Sequence, residues 1–281
     1  QIPSILLAIA IQALTANAFT TPFSFASKMP LFSAARSVKS FASPNAMSRA
    51  AKVSNLGRAM FTGIVEEMGS ISEILQDKTN QGGMSLRIGC KVVTAGAYEG
   101  CSIAVNGVCL TVTDFGDKEF EVGVSPETIR KTNLGLLRPG SPVNLERAAS
   151  MDGRNSGHMV QGHIDNTGEI IQIWPDQESR FYKIRAPPEL LKYIVPKGFI
   201  AVDGTSLTVC ETNAAESWFT LMLIEHTQKH VVLATLPVGG KVNLEVDVVS
   251  KYLERSVGAL SAGLHESLAK VEARVAALEA R

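Results

Sequence analysis

The chain has 281 residues, 45% hydrophobic and 19% charged, with 27 basic and 27 acidic side chains. That is enough apolar material for one large or two small domains with buried cores, and it excludes a disordered chain. The charge is uneven: residues 1–59 hold six basic residues and no acid, leaving 21 basic against 27 acidic residues, a mildly acidic body without the basic stripe of a nucleic-acid binder.

The chain opens with "IPSILLAIAIQAL", an apolar run of signal-peptide length that is too short to span a bilayer comfortably. "TANAF" follows, with small residues at Ala16 and Ala18 that suit cleavage after Ala18. Residues 19–59 are rich in Ser and Ala, basic and free of acids, which is transit-peptide composition. A signal peptide over about 1–18 joined at Phe19 to a transit peptide over 19–59 resembles the two-part plastid leaders of algae with secondary plastids. The alternative is an ordinary secretory signal with a linker. Cys90, Cys101, Cys109 and Cys210 form no CxxC pair and have no His at a zinc-type offset, so they read as free thiols in a reducing compartment. That favours the plastid stroma, and no metal site is expected.

The body is written twice. "FTGIVEEMGSI" from Phe61 lines up with "QGHIDNTGEI" from Gln161, and "GCSIAVNGVCLTV" from Gly100 with "GFIAVDGTSLTV" from Gly198. "ETIRKTNLGLL" from Glu127 then matches "HTQKHVVLATL" from His226, and "VNLERA" from Val143 matches "VNLEVD" from Val242. Four blocks in one order mean two copies of one domain. Each copy reads as β: Asn106-Gly107 and Asp203-Gly204 are strong hairpin signals. "KEFEVGV", "SWFTLMLI" and "VNLEV" alternate in strand fashion, and "RPGSP" and "PVGGK" mark turns. Some six short strands per copy predict a small closed barrel, which removes exposed edges. Short helical turns are expected at "TNLGLL" and "PPELLKYI".

The fold expected is therefore all-β: a tandem pair of similar six-stranded, Greek-key-like closed β-barrels over 60–156 and 157–249, followed by a C-terminal α-helix over 250–281. In that tail Leu264, Leu268, Val271, Val275 and Leu278 recur at spacings of four, three, four and three, a heptad-like stripe that suits an assembly helix.

The two copies differ where a site would differ. Asn106 and Cys109 in copy one face Asp203 and Ser206 in copy two; Ile64 is matched by His163, and Ala148 by Asp247. Copy two thus gathers Asp203, Ser206, Thr208, His163 and Asp247, and copy one Cys109, Thr111, Ser125 and Glu127. A duplicated pocket with polar groups enriched in one copy implies one kind of ligand bound twice, with acid–base chemistry weighted to one side. Each feature also has a plain reading: Asp203-Gly204 as a turn, Ser206 and Thr208 as strand residues, His163 as structural. Dinucleotide, P-loop and nucleophile-elbow motifs do not occur, and His158 and His163 are five apart, not the four of a zinc helix.

Together "MFTGIVEEMG" from Met60, "NGVCLTV", "SPETIRKTNLG", "GHMVQGHI", "KGFIAVDGTSLTV" and "VNLEVD" resemble the α-subunit type of riboflavin synthase, from Met60 to about Arg255. The resemblance implies two six-stranded barrels and a C-terminal helix, a homotrimer joined through those helices, and no cofactor. It implies a dismutation: a four-carbon unit passes between two molecules of 6,7-dimethyl-8-ribityllumazine, giving riboflavin and a ribitylamino-pyrimidinedione. The small-molecule substrate is then the partner, two per site, with neither nucleic acid nor, in the mature form, a membrane.

Carried over by position, the first pocket would use Gly63, Ile64 and Val65, then Cys109, Leu110 and Thr111, and the segment Gly123, Val124, Ser125, Pro126, Glu127 and Thr128. The second would use Gly162, His163 and Ile164, Lys197, then Ser206, Leu207 and Thr208, and the segment Ile224, Glu225, His226, Thr227, Gln228 and Lys229. His163 is the candidate for proton transfer, with Ser206 and Thr208 relaying and Asp247 orienting; Asp203 and Cys109 would mark where donor and acceptor roles part. The sequence departs from the family pattern at Glu225-His226-Thr227, where a Pro-Glu-Thr is often repeated, and at Ser156, where Gly is usual. The alternative function is a non-catalytic lumazine- or flavin-binding protein of the same two-barrel plan.

Overall fold

The computed structural model describes residues 60–76, 83–150 and 155–280; the expected leader, and the plastid destination read from it, lie outside them. The first barrel contains β1 (Glu67–Gln76), β2 (Met84–Gly89), β3 (Ser102–Val105), β4 (Val108–Phe115), β5 (Glu119–Val124) and β6 (Pro142–Arg147). It closes in the order β1-β2-β5-β4-β3-β6, with every neighbouring pair antiparallel. The second contains β7 (Asn166–Asp176), β8 (Ser179–Arg185), β9 (Phe199–Val202), β10 (Thr205–Asn213), β11 (Trp218–Leu223) and β12 (Lys241–Val246), and closes with the same permutation. The duplicated sequence has become a duplicated topology, and the all-β expectation holds.

Local chemistry accounts for these elements. In β5, Phe120, Val122 and Val124 point inward while Glu119, Glu121 and Gly123 face out or are half-covered, the alternation of a strand with one buried face. Phe120 and Phe219 are each at most 1% exposed, and each contributes roughly 2–3 kcal/mol by leaving water. Both hairpin turns carry positive φ at both central residues, 46° and 76° at Asn106-Gly107 and 44° and 77° at Asp203-Gly204. That is the turn whose twist suits flanking strands.

The expected helical turns are present as a 3₁₀ turn at Asn133–Leu136 and as α2 (Pro188–Leu191). Two others fall in segments carried over from the resemblance as pocket segments, with no element assigned to them: α1 (Pro126–Lys131) and α3 (Glu225–Gln228). Ser125 caps α1 by accepting from the Thr128 amide at 3.2 Å, and Pro126 presets the first turn.

The C-terminal helix α4 (Val248–Glu279) begins two residues earlier than expected, because Asp247 caps it by accepting from the Val249 amide at 3.0 Å. Lys251 pairs with Asp165 at 2.7 Å, and Glu254 accepts from Lys192 and from the Tyr193 hydroxyl, which ties the first turns to the second barrel. Beyond them the apolar stripe is bare: Leu264, Leu268, Val271, Val275 and Leu278 are all exposed. Among the described residues no helix is long and apolar enough to cross a membrane.

Candidate active site

The barrels meet at their repeated hairpins. The Asn106-Gly107 and Asp203-Gly204 turns lie against each other, and two asparagines lace them from opposite sides. Asn144 donates its amide to Asp203 O at 2.8 Å, and Asn243 donates its own to Asn106 O at 2.9 Å. Asn144 N in turn donates to Asn106 Oδ1, and Asn243 N to Asp203 Oδ1, both at 2.8 Å. The side-chain oxygens of Asn144 and Asn243 accept from Val232 N and Asn133 N. The network is two-fold apart from two additions: Asn144 also donates to Thr205 Oγ1 at 3.4 Å, where the other copy has Val108, and Asn133 adds bonds of its own. Asn133 donates its amide to Asp203 Oδ1 at 2.9 Å, where the other half has Val232.

This corrects one expectation. Asp203 is fully buried in the seam, so it does not face a ligand, and the Asn106/Asp203 difference does not separate donor from acceptor chemistry. Burial pushes its carboxyl up to about 7, against the bonds from Asn243 and Asn133. Asp203 Oδ2 and Asn133 Oδ1 are both buried without a partner among the described residues.

The segments that lead into each barrel cross over. Phe61 and Val160 pair as an isolated antiparallel bridge, and with Ala104 and Ala201 they form a small apolar cluster that also touches Cys109. From there the chain of the first repeat passes onto the second barrel: Gly63 O accepts from Ser206 N at 2.7 Å, and Val65 packs on the second core. The chain of the second repeat passes onto the first: Gly162 O accepts from Cys109 N at 2.9 Å, and Ile164 packs on the first core. Both glycines are required, since each has positive φ and a Cβ would stand 2.6 Å from that of Ser206 or Cys109.

The grouping expected from sequence order is therefore corrected. Gly63, Ile64 and Val65 lie with Ser206, not with Cys109, and Gly162, His163 and Ile164 lie with Cys109. A binding segment goes to the barrel whose core its apolar side chain covers, and sequence order does not determine that.

Each barrel opens beside these segments. The β4–β5 ladder stops at Val112↔Val122, leaving Cys109, Leu110 and Thr111 across from Val124 and the α1 segment. The β10–β11 ladder stops at Val209↔Leu221, leaving Ser206, Leu207 and Thr208 across from Leu223 and the α3 segment. Thr111, Ser125, Glu127, Thr208, Ile224 and His226 are exposed at these slots. Glu127 pairs with Arg130, Glu225 with Lys229, and Gln228 donates to Glu178 O and Leu223 O. The His226 and His230 rings stack 4.4 Å apart. Lys197 holds φ at 68°, where copy one has Gly100. A surface hollow of about 320 Å³ lies elsewhere, at the β4–β5 turn beside Lys91 and Asp117.

The histidine that meets Ser206 is His158. Its Nδ1 lies 2.6 Å from Ser206 Oγ, its ring stacks on Phe199, and its Nε2 is buried without a partner among the described residues. Burial pushes the imidazole below its ordinary value, and the charge of Asp247 works the other way. His163 is exposed, and its imidazole makes no hydrogen bond among the described residues. Asp247, expected to orient or neutralise, caps α4 and acts electrostatically on His158. Cys109 is half-buried, and burial pushes its thiol up.

Sequence reasoning also missed two carboxylates. Glu146 accepts from Thr62 N at 2.7 Å, Thr62 Oγ1 at 2.8 Å and Gly63 N at 3.1 Å. Glu245 accepts from Gln161 N at 2.7 Å, Gly162 N at 2.9 Å and His163 N at 3.0 Å. Burial pushes both up to about 7, against those bonds. Their signal was the "NLE" repeated in both copies, which read as strand.

Residues 62–148 and 161–247 each match the family profile described as lumazine binding domain. A riboflavin synthase of Mycobacterium bovis is 50% identical over 200 residues, covering 70% of this chain and 97% of its own. One of Actinobacillus pleuropneumoniae is 46% identical over 197 residues, covering 70% and 89%. Among solved structures, LumP complexed with 6,7-dimethyl-8-(1'-D-ribityl) lumazine aligns with a TM-score of 0.58 at 22% identity, covering 66% of this chain and 98% of that one. At that identity the likeness concerns the fold.

Proposed function

The chain belongs to the riboflavin synthase family, and from that membership we propose its reaction: two molecules of 6,7-dimethyl-8-ribityllumazine dismutate to riboflavin and 5-amino-6-(D-ribitylamino)uracil. It is a transferase. The four-carbon unit leaves one substrate molecule and joins the other, so neither a separate donor nor an external oxidant is needed.

One observation carries this reading: the fold presents two alike slots, each faced by an alike main-chain segment. In one segment Ile64 O and Val65 N make no hydrogen bond among the described residues; in the other the same holds for His163 O and Ile164 N. Acceptor and donor recur in the same order. Such groups suit the pyrimidinedione edge of a lumazine, which alternates carbonyl and N–H, and two copies suit two identical rings. Exposed Thr111, Ser125 and Thr208 offer hydroxyls to the ribityl chains.

The chemistry asks little of the protein. The C7 methyl of one lumazine is acidic because its carbanion delocalises into the ring, and C7 of the other is the electrophile. His158 is the group we assign to the proton: burial favours its neutral form, and because Nε2 is enclosed the proton reaches Nδ1 through Ser206 Oγ, which also orients the ring. Holding two rings in reacting register supplies much of the remaining acceleration. The exposed stripe of α4 supports a homotrimer assembled through these helices, and the acid-free leader composition supports import into the plastid.

The test is turnover. Purified protein incubated with the lumazine alone, without added cofactor, should yield riboflavin and the pyrimidinedione in equal amounts from two equivalents of substrate. Tight binding without product would mark a carrier instead.

A further inference from the structure

We propose that Glu146 and Glu245 are positioning residues, each serving the pocket completed by the opposite barrel. The proposal rests on the reading above, in which the main chain at Ile64-Val65 and at His163-Ile164 meets the two rings.

Both carboxylates come from the same place in the repeat and are 5% and 2% exposed. Each collects three donors from the segment entering its own barrel, within 3.1 Å. All of these are N–H or O–H groups, so the arrangement suits an acceptor-only carboxylate with lone pairs on both oxygens. The opposite barrel secures the same segments from the other side, at Gly63 O through Ser206 N and at Gly162 O through Cys109 N. Each glycine is thereby held by its N–H and by its C=O, and the next residues keep main-chain groups without a partner among the described residues.

Glu146 belongs to the first barrel but fixes Gly63, which lies on Ser206 in the second. Glu245 belongs to the second but fixes Gly162, which lies on Cys109 in the first. A glutamate that merely stabilised its own barrel would disturb the slot of that barrel. A positioning glutamate disturbs the slot across the seam.

A double-mutant cycle separates these roles. Thr208→Val reports on the slot of the second barrel and Thr111→Val on that of the first. Glu146→Gln sets an amide N–H₂ against donors and should raise the KM for lumazine, and its Kd by fluorescence titration, about tenfold. Its effect should be non-additive by several-fold with Thr208→Val and additive with Thr111→Val. Glu245→Gln should show the opposite pattern. If either glutamine variant fails to fold by circular dichroism, the aspartate variant replaces it, since it keeps the charge but draws the carboxylate back by one methylene. Coupling within the same barrel, or unchanged KM and Kd in folded variants, overturns the proposal. Failure of the wild-type chain to make riboflavin overturns the functional reading instead, and the Kd cycle still decides the positioning role.

Discussion

Gly107 and Gly204 touch main chain to main chain across the seam: a Cβ on Gly107 would stand 2.5 Å from Gly204 N, and one on Gly204 would stand 2.7 Å from Gly107 Cα. Both residues also have positive φ, at 76° and 77°. Alanine at either position is strained by its own backbone and blocked by the opposite turn. Each single Gly→Ala substitution should cost about 3 kcal/mol or more in chemical denaturation. A loss below 1 kcal/mol would mean that the two turns do not meet this closely.

Asp203 should make the molecule less stable as pH rises. Its folded pKa, about 7, lies above the ordinary aspartate value of about 3.9. Stability from this group is thus full below about pH 3.9 and is lost as pH rises through about 7. The structural reason lies in two buried acceptors without partners among the described residues, Asp203 Oδ2 and Asn133 Oδ1, on side chains already joined by one bond. A neutral acid can donate where a carboxylate cannot. Asp203→Asn supplies a permanent donor, so its stability should come closest to that of the wild type near pH 4 and exceed it near pH 8. Glu146 and Glu245, also raised to about 7, leave a residual decline in both proteins. Parallel urea-denaturation curves for the two proteins at both pH values would refute the donor role.

Much of this architecture was legible because duplication exposes it. The repeated Asn-Gly and Asp-Gly turns announced the hairpins, and the alternation in "KEFEVGV" announced an inward face. The crossing of Gly63 and Gly162 was not legible, since no local pattern says which core will receive Val65 or Ile164. Asp203 misled for a related reason. Its partner Asn133 lies 70 positions away and is matched in the other copy by Val232, so the pair leaves no trace in either block. Glu146 and Glu245 sit in strands where both faces are covered, with burial unbroken from Val143 to Glu146 in β6 and from Val242 to Val246 in β12, so alternation gave them no distinction. His158 and His163 share one motif, and only the packing of Phe199 and Ser206 decides which one is enclosed.

That enclosure sets the next expectation. His158→Ala should lower kcat by about a hundredfold or more, the usual loss on removing a positioned acid–base group, while His163→Ala should stay within a few-fold. Ser206→Ala removes the oxygen 2.6 Å from Nδ1 and should fall between them. Because burial holds His158 below its ordinary value, the wild-type acid limb should lie below pH 6.5, the ordinary histidine value. Initial rates of riboflavin absorbance across pH decide this. Equal activity of the His158→Ala and wild-type enzymes would return the proton to another group.

The length of α4 beyond its anchors makes the last prediction. Lys251 and Glu254 fasten its start to the second barrel, but from Val257 onward every large apolar residue is exposed, with Leu260 at 74% and Leu264 at 71%. An exposed heptad stripe of Leu and Val is costly in water and is relieved by packing against like stripes. Deleting residues 256–281 keeps both anchors and removes the stripe. Light scattering should then read a monomer where a chain of residues 60–281 reads a trimer. Circular dichroism of the barrels should persist, because neither core contains any residue of that segment. Turnover should fall with the oligomer if a complete site needs two subunits, and lumazine binding to single chains should survive. A truncated protein that remains trimeric would place assembly on the barrel surfaces and leave the stripe for another partner.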